Sequence, residues 1–490
     1  MADKTYPKKI YHWIEDREIE SSPGDFIPKI NPADGRLLSQ ITRGNEKDVD
    51  NAVSQAEKKL TEWKNTPIIS RANILRQASI LLQKKRDEIA QIVHLETGKS
   101  VKDALAETDG AAELGFFYAG EGRRFYGKVT SSAMPDRSAM IIRKPVGVCA
   151  LIIPFNTPIA NVAWKSFPSL LCGNTVILKA SSDTPYTPVW FAKILKEAGL
   201  PEGIFSVLQG KGVEVGNALL EDERINLVSF TGSEETGRLI AQKVSSRFVK
   251  LSLELGGKNP FVVCDDADLD KASDFAISSA FSNAGQRCAS ASRIVVFSSI
   301  YEKFKKMLIE KAKNLKVGIS DSDNLGPVIN EKQLNKILTA LQQAKKEGVK
   351  ILIGGYRLTE GKFKKGFFIS PTILENVTVK SDIYDCELFG PVTSLHKVRD
   401  FKEAVALANN SSYGLTSAIH TNNNNRIQEF IKNIQAGVVS VNGPTYGSEP
   451  HLPFGGVKQS GNGTREPGIE ALDFYSDMQT VYVKHDPSAV

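Results

Sequence analysis

From residue 147 onward, short runs rich in β-branched and aromatic residues alternate with helical patterns, and this alternation constrains the fold more than any other feature. Gly147 to Ile153, Thr175 to Lys179, Phe205 to Gln209, Asn226 to Phe230 and Phe248 to Glu254 read as strands; a helical pattern such as Val189 to Ala198 lies between them, closed by the turn Gly199-Leu-Pro201. Regular alternation of this kind predicts βαβ units in a parallel, twisted α/β sheet covered on both faces, a Rossmann-like, nucleotide-binding architecture. A second series, Phe261 to Cys264, Arg293 to Phe297, Ile351 to Ile353 and Val438 to Val441, predicts a second α/β domain over roughly 257 to 460. Residues 50 to 110 carry helical spacing, with Ala72, Leu75, Ala78, Ile80, Leu81 and Leu82 followed by Ile89, Ile92 and Val93, and predict a helical layer.

With 490 residues, 41% of them hydrophobic and 24% charged, the chain is long and apolar enough for about three structural units with sizeable cores. The 62 Lys and Arg against 56 Asp and Glu leave only +6 and no basic arm, so nucleic acid is not an expected partner. The most basic stretch, Glu302 to Lys316, sets Phe304, Met307, Leu308, Ala312 and Leu315 at helical spacing and reads as a solvated amphipathic helix in preference to a phosphate-binding patch. Asn422 to Asn425 reads as a loop or helix start.

The longest apolar run, Val146 to Phe155, is about half of the ~20 residues that span a bilayer and contains Gly147 and Pro154, so no membrane span is expected. Met1 to Lys9 is charged with no apolar region behind it, which predicts no secretory signal and a cytoplasmic location. Cysteines 149, 172, 264, 288 and 386 are odd in number and include no CxxC, and the histidines lack ligand spacing, so neither a disulfide framework nor a metal site is expected.

In Phe281-Ser-Asn-Ala-Gly-Gln-Arg-Cys288 a helical pattern from Leu269 ends near a glycine and presents a cysteine in a polar loop. Cys288 is a nucleophile candidate there; the alternative, a small buried core residue, fits Cys149, Cys172 and Cys264 in their apolar runs. Around it the chain resembles the aldehyde dehydrogenase superfamily over nearly its whole length. The resemblance is carried, in family order, by Pro154-Phe-Asn-Thr-Pro158, Trp164-Lys-Ser-Phe-Pro168, Gly173-Asn-Thr-Val-Ile-Leu-Lys179 and Phe230-Thr-Gly-Ser233. It continues in Leu253-Glu-Leu-Gly-Gly-Lys258, Gly285-Gln-Arg-Cys288, Glu387-Leu-Phe-Gly-Pro391 and Pro453-Phe-Gly-Gly-Val-Lys458.

The resemblance implies that Cys288 attacks an aldehyde carbonyl to give a thiohemiacetal, that hydride leaves for NAD or NADP, and that a thioester remains. It assigns oxyanion stabilisation to the Asn156 amide and the Cys288 backbone N–H, the general base to Glu254, and a place in the catalytic set to Lys165. The plainer readings are an ordinary turn asparagine for Asn156 and a loop carboxylate for Glu254. Cofactor positions implied are Pro154, Phe155, Lys179, Ser181, Ser182, Gly212, Gly216, Phe230, Gly232, Ser233, Leu255, Glu387 and Phe389. No G-x-G-x-x-G follows the first clear strand; the family uses the turn at Gly232 and Ser233 and the helix after it. Members restricted to NAD often carry Glu where this chain has Ser182, so NADP is expected to be used as well, with Asp183 as the opposing charge.

His451 to Lys458 and Ser460-Gly-Asn-Gly-Thr-Arg-Glu466 resemble semialdehyde-oxidising branches, notably the 2-oxoglutarate semialdehyde type, with Thr464 an extra residue. Trp164, Arg287 and Phe454 are the implied substrate contacts. Arg287 is read as an anchor for a distant carboxylate or as a structural arginine paired to a neighbouring acid. Two rivals are a coenzyme A-acylating enzyme, disfavoured by Glu254, and a non-catalytic member of the fold. By resemblance, 1–124 and 144–256 bind the cofactor, 257–460 is catalytic, and 125–143 with 461–490 forms an arm that pairs copies into a homodimer or homotetramer.

Overall fold

The computed structural model describes residues 6–489. Met1 to Thr5, on which part of the expectation of no secretory signal rests, and Val490 lie outside the described residues. A seven-stranded sheet runs in the order Lys250–Glu254, Ile225–Thr231, Val148–Ile152, Thr175–Lys179, Phe205–Leu208, His12–Ile14, Arg17–Ile19. Its first five strands are parallel, and the last two add an antiparallel edge.

Strand residues point alternately to opposite faces, so a parallel sheet needs cover on both. Cys149, Leu151, Val176 and Leu178 pack beneath the helices Ile68–Lys84, Arg86–Thr97, Val101–Glu121 and Pro158–Cys172. Val148, Ala150, Ile177 and Val228 pack on the other face against Glu46–Asn65 and Glu234–Val244. The expected helical layer is present, although Ile80 is 40% exposed and faces away from the core.

A second seven-stranded sheet runs Lys350–Ile353, Thr372–Glu375, Val392–Val398, Ala291–Phe297, Asn259–Val263, Thr416–His420, Val438–Val441. It is parallel except at the Lys350–Ile353 edge. The strand read as Phe248 to Glu254 begins at Lys250, because Phe248 takes a left-handed backbone (φ 54°) after the turn Ser245–Arg247. The basic helix ends at Lys313, so Leu315 lies beyond it. In the asparagine tract, Asn423 caps the helix Asn424–Asn433.

A three-stranded antiparallel sheet joins Lys128–Ser131, Arg137–Pro145 and Ser476–Lys484 and stands out from both bodies. Only the part of 461–490 from Ser476 onward joins this arm. Ala471, Leu472, Phe474 and Tyr475 instead enter the core above the first sheet, where their apolar side chains are buried. Among the described residues no helix is long and apolar enough to cross a membrane.

Candidate active site

The carboxyl ends of the parallel strands in the first sheet fall in line: Ile152 pairs with Lys179, Lys179 with Leu208, Ile152 with Phe230, and Thr231 with Glu254. The chain crosses from Val148–Ile152 to Thr175–Lys179 on one side, and Ile225–Thr231 lies on the other. Between them lies the crevice where open α/β sheets bind ligands. A cleft of about 480 Å³ opens there, lined by Pro154, Phe155, Asn156, Trp164, Gly232, Ser233, Glu254, Leu255, Arg287, Cys288, Glu387, Phe389 and Phe454.

Cys288 follows a contorted approach. The helix Leu269–Phe281 ends, and Asn283, Ala284 and Gly285 take left-handed backbones with φ of 52°, 54° and 66°. Only glycine fits at 285, since a Cβ would lie 2.1 Å from the Gly390 carbonyl oxygen. The turn is fixed by Gln286, whose side-chain amide donates to the Pro327 carbonyl (3.3 Å) and accepts from the Ile329 N–H (2.9 Å). Cys288 is partly open to the cleft, yet its surroundings are close enough that burial pushes the thiol up to about 12. Glu387 and Glu254 add to the rise; Arg287 and the Ala289 N–H oppose it. At neutral pH the thiol therefore carries its proton until a base accepts it.

Glu254 ends its strand, and neither carboxylate oxygen has a protein hydrogen-bond partner. Burial, then the nearby Glu466, hold its pKa well above the usual carboxylate value, while Lys165 and Arg465 pull it down. An acid so placed is suited to accepting and returning protons. Asn156 sits in the turn before the helix Pro158–Cys172; its Oδ1 is buried without a partner, and its carbonyl accepts from Lys99 Nζ (2.9 Å) and Asn283 Nδ2 (3.1 Å). A free amide on a cleft wall suits an oxyanion.

Lys165 lies off the wall, in a fully buried cluster where its Nζ meets Ser229 Oγ at 2.6 Å and Glu466 Oε2 at 3.1 Å. Its long side chain is fully covered and taken up by that pairing, and its charge lowers the pKa of Glu254.

The remaining positions expected to hold a cofactor lie at or near the strand ends, and Lys179, Ser181, Ser182, Gly212, Gly216 and Phe230 are not among the residues that line the cleft. Lys179 donates to the Ala180 carbonyl (2.6 Å), and burial lowers its pKa to about 8 against the pull of Asp183. Ser182 Oγ donates to the Gly210 carbonyl (3.1 Å), tying two strand-end loops together, and Ser181 Oγ accepts from the Asp183 N–H (3.2 Å). Gly212 and Gly216 bound a short π-helix. Phe230 is buried under Gly232, and Ser233 caps the helix Glu234–Val244, whose first N–H groups have no partner within the helix. Glu387 accepts from the Gly257 N–H (3.0 Å), and burial raises its carboxyl to about 7. The aromatic pairs Phe155 with Phe389 (5.7 Å) and Trp164 with Phe454 (5.8 Å) shape the cleft.

Sequence reasoning missed several wall residues. Lys99, Asp103 and Glu107 come from the Val101–Glu121 helix and the turn before it, and Tyr446 from a glycine-flanked loop. Nothing local marks them: a lysine just past the end of a helical pattern carries no signal of its own.

The aldehyde dehydrogenase family profile matches residues 19–481. The chain is 37% identical to an alpha-ketoglutaric semialdehyde dehydrogenase of Bacillus subtilis, covering 99% of this chain and 100% of that one. It is 35% identical to a D-glyceraldehyde dehydrogenase (NADP(+)) of Thermoplasma acidophilum, covering 96% of each. The crystal structure of a betaine aldehyde dehydrogenase from Staphylococcus aureus in complex with NAD+ superposes with a TM-score of 0.96 at 31% identity, covering 99% and 97% of the two chains. The chain belongs to the aldehyde dehydrogenase family. It is an oxidoreductase that oxidises an aldehyde to the acid with NAD or NADP.

Proposed function

We propose that the preferred aldehyde carries a second, carboxylate group, as in a semialdehyde of the 2-oxoglutarate type, and that Arg287 receives it. The observation that carries this reading is the state of Arg287. It lines the cleft beside Cys288, its Nε is buried without a partner, and it makes no ion pair among the described residues. Its guanidinium carbon lies 5.0 Å from the Tyr446 ring centroid, which steers the side chain without neutralising it. The alternative of a structural arginine paired to an acid lacks the acid.

The strand ends, the helix N-terminus at Ser233 and the carboxylate of Glu387 form a donor and acceptor set that fits a dinucleotide: N–H groups for a pyrophosphate, Lys179 and Glu387 for ribose hydroxyls. Bound there, the nicotinamide supplies the hydride acceptor. The protein's own residues do the rest. Cys288 Sγ adds to the carbonyl as its proton passes to water in the cleft, and the Asn156 amide and Cys288 N–H hold the oxyanion. After oxidation Glu254 takes a proton from water as it attacks the thioester. The retained Glu254, with an unpartnered carboxyl, favours water over coenzyme A as acyl acceptor, which rates measured with and without coenzyme A check.

The arm exposes Val129, Met478 and Tyr482, and we assign it to pairing of copies as a homodimer or homotetramer. All five cysteines are free, which suits the reducing cytoplasm.

The test is kcat/KM for a carboxylate-bearing aldehyde and a neutral one of equal length, in the unmodified chain and in Arg287→Met. Loss of a charge-assisted contact of about 1.5–3 kcal/mol predicts a roughly 10- to 150-fold drop confined to the acidic substrate. An equal drop on both would remove Arg287 as the anchor.

A further inference from the structure

The turn that carries Asn156 is gripped from three sides by residues that share no motif. Lys99 leaves the end of the helix Arg86–Thr97, just past Gly98, and its Nζ donates to the Asn156 carbonyl at 2.9 Å and to Glu107 Oε2 at 2.5 Å. That ion pair is nearly closed to solvent, each side chain 5% exposed. The other oxygen of Glu107 accepts from the Ile159 N–H (3.0 Å) and the Ala160 N–H (3.3 Å), two of the otherwise open donors at the start of the helix Pro158–Cys172. From the opposite wall, Asn283 Nδ2 donates to the same Asn156 carbonyl at 3.1 Å and to the Gln286 carbonyl at 3.2 Å. Asn283 holds a left-handed backbone five residues before Cys288, so one side chain spans the two halves of the cleft.

With its carbonyl fixed by two donors and the helix behind it capped, the Asn156 peptide has one orientation, and its side chain lines the cleft with Oδ1 left without a protein partner. We infer that Lys99, Glu107 and Asn283 are positioning residues that lock the oxyanion donor Asn156 to the loop bearing Cys288. The inference rests on the reading of Asn156 as that donor. A lysine between two helices and a glutamate eight residues further on thereby act on chemistry they do not touch.

The test separates oxyanion-dependent from oxyanion-independent chemistry at the same sulfur. Aldehyde oxidation needs the donor; alkylation of Cys288 by iodoacetamide, followed by mass spectrometry of its peptide, does not. Removing Lys99 alone would leave Glu107 buried and uncompensated, so the variants are Lys99→Met/Glu107→Gln, which neutralises the pair, and Asn283→Ala, with Asn156→Ala as reference. Displacement of a catalytic group by about 1 Å costs on the order of 100-fold, so oxidation should fall roughly 10- to 100-fold in both variants. Cys288 alkylation and cofactor Kd should stay within about threefold of the unmodified chain, which a merely structural defect would not allow. Oxidation at near-normal rates in both variants while Asn156→Ala is inactive overturns the clamp. So does a parallel loss of oxidation and alkylation. Normal oxidation in Asn156→Ala overturns the oxyanion reading beneath it.

Discussion

Lys165 and Glu466, 301 residues apart in the chain, form a fully buried ion pair at 3.1 Å, with Ser229 Oγ donating to Glu466 Oε1 at 2.9 Å and the Tyr475 hydroxyl donating to it at 3.2 Å. Every charge in this cluster is paired and hydrogen-bonded, which is the condition under which a buried ion pair is tolerated. It also sets the field felt by Glu254, which Glu466 pushes up and Lys165 pulls down.

Lys165→Met leaves Glu466 unpaired in the interior, at a cost of about 3–5 kcal/mol. The expected outcome is a lower Tm by calorimetry than that of Cys288→Ala, whose site is partly open to the cleft. Equal melting of the two variants would show that the pair contributes nothing net.

Cys288→Ala should abolish oxidation while leaving cofactor Kd near its normal value, because sulfur addition precedes every later step and the strand-end loops are untouched. Steady-state rates and cofactor titration on the folded variant decide it. Appreciable turnover would move the nucleophile elsewhere.

Glu254→Gln should release a burst of about one reduced cofactor per active site and then stall, since water attack on the thioester follows oxidation. Rapid mixing resolves the burst. A variant with neither burst nor steady rate would place Glu254 in the first step.

A test of cofactor selectivity starts from Ser182, whose hydroxyl is engaged by the Gly210 carbonyl. Beside it, Asp183 is held by Asn330 Nδ2 at 3.2 and 3.1 Å, across from the second body, so its charge is partly satisfied before any phosphate arrives. NADP and NAD should support comparable kcat/KM, and Ser182→Glu should weaken NADP alone by about 1–3 kcal/mol, or roughly 5- to 150-fold. A strong preference of the unmodified chain for NAD would overturn this.

Glu387 offers a pH test. Its carboxyl titrates at about 7, so below that value it is mainly protonated and above it ionised, and only the ionised form is a full acceptor for ligand hydroxyls. The KM for cofactor should fall as pH rises from about 6 to about 8, and Glu387→Gln should flatten that dependence. An unchanged pH profile in Glu387→Gln would detach the group from the cofactor.

What the sequence disclosed and withheld follows from side-chain chemistry. Strands built of continuous apolar residues, such as Thr175–Lys179, were legible because both faces are covered. The strands Val392–Val398 and Thr416–His420 were not, because Thr393, Ser394 and His396 interrupt the apolar pattern of the first and Thr416, Ser417 and His420 that of the second. In Val392–Val398 that polarity is satisfied internally, Thr393 Oγ1 donating to the Ala291 carbonyl at 2.9 Å and Ser394 Oγ meeting His396 Nε2 at 2.8 Å, whereas in Thr416–His420 Ser417 Oγ donates to the Val438 carbonyl at 3.3 Å and Thr416 Oγ1 is buried without a partner. Cys288, Glu254 and Asn156, which line one cleft, stand in motifs at strand and helix ends. Lys99 and Glu107 escaped because what they do depends on where a helix from the first layer docks. Nothing local in Ala471 to Tyr475 tells that those side chains leave the arm and turn back into the first core.

That return has a temporal meaning. The strands from Val148 to Glu254 are synthesised long before Glu466, and until it arrives Lys165 has no carboxylate to meet and Asn174 lacks the Tyr475 carbonyl to which it donates at 2.8 Å. A chain cut short of this segment carries the strand-end loops and Cys288, yet leaves the Lys165 ammonium at the centre of its first body bonded to Ser229 without the carboxylate of Glu466. Completion of synthesis, rather than folding of any one half, is what closes the molecule.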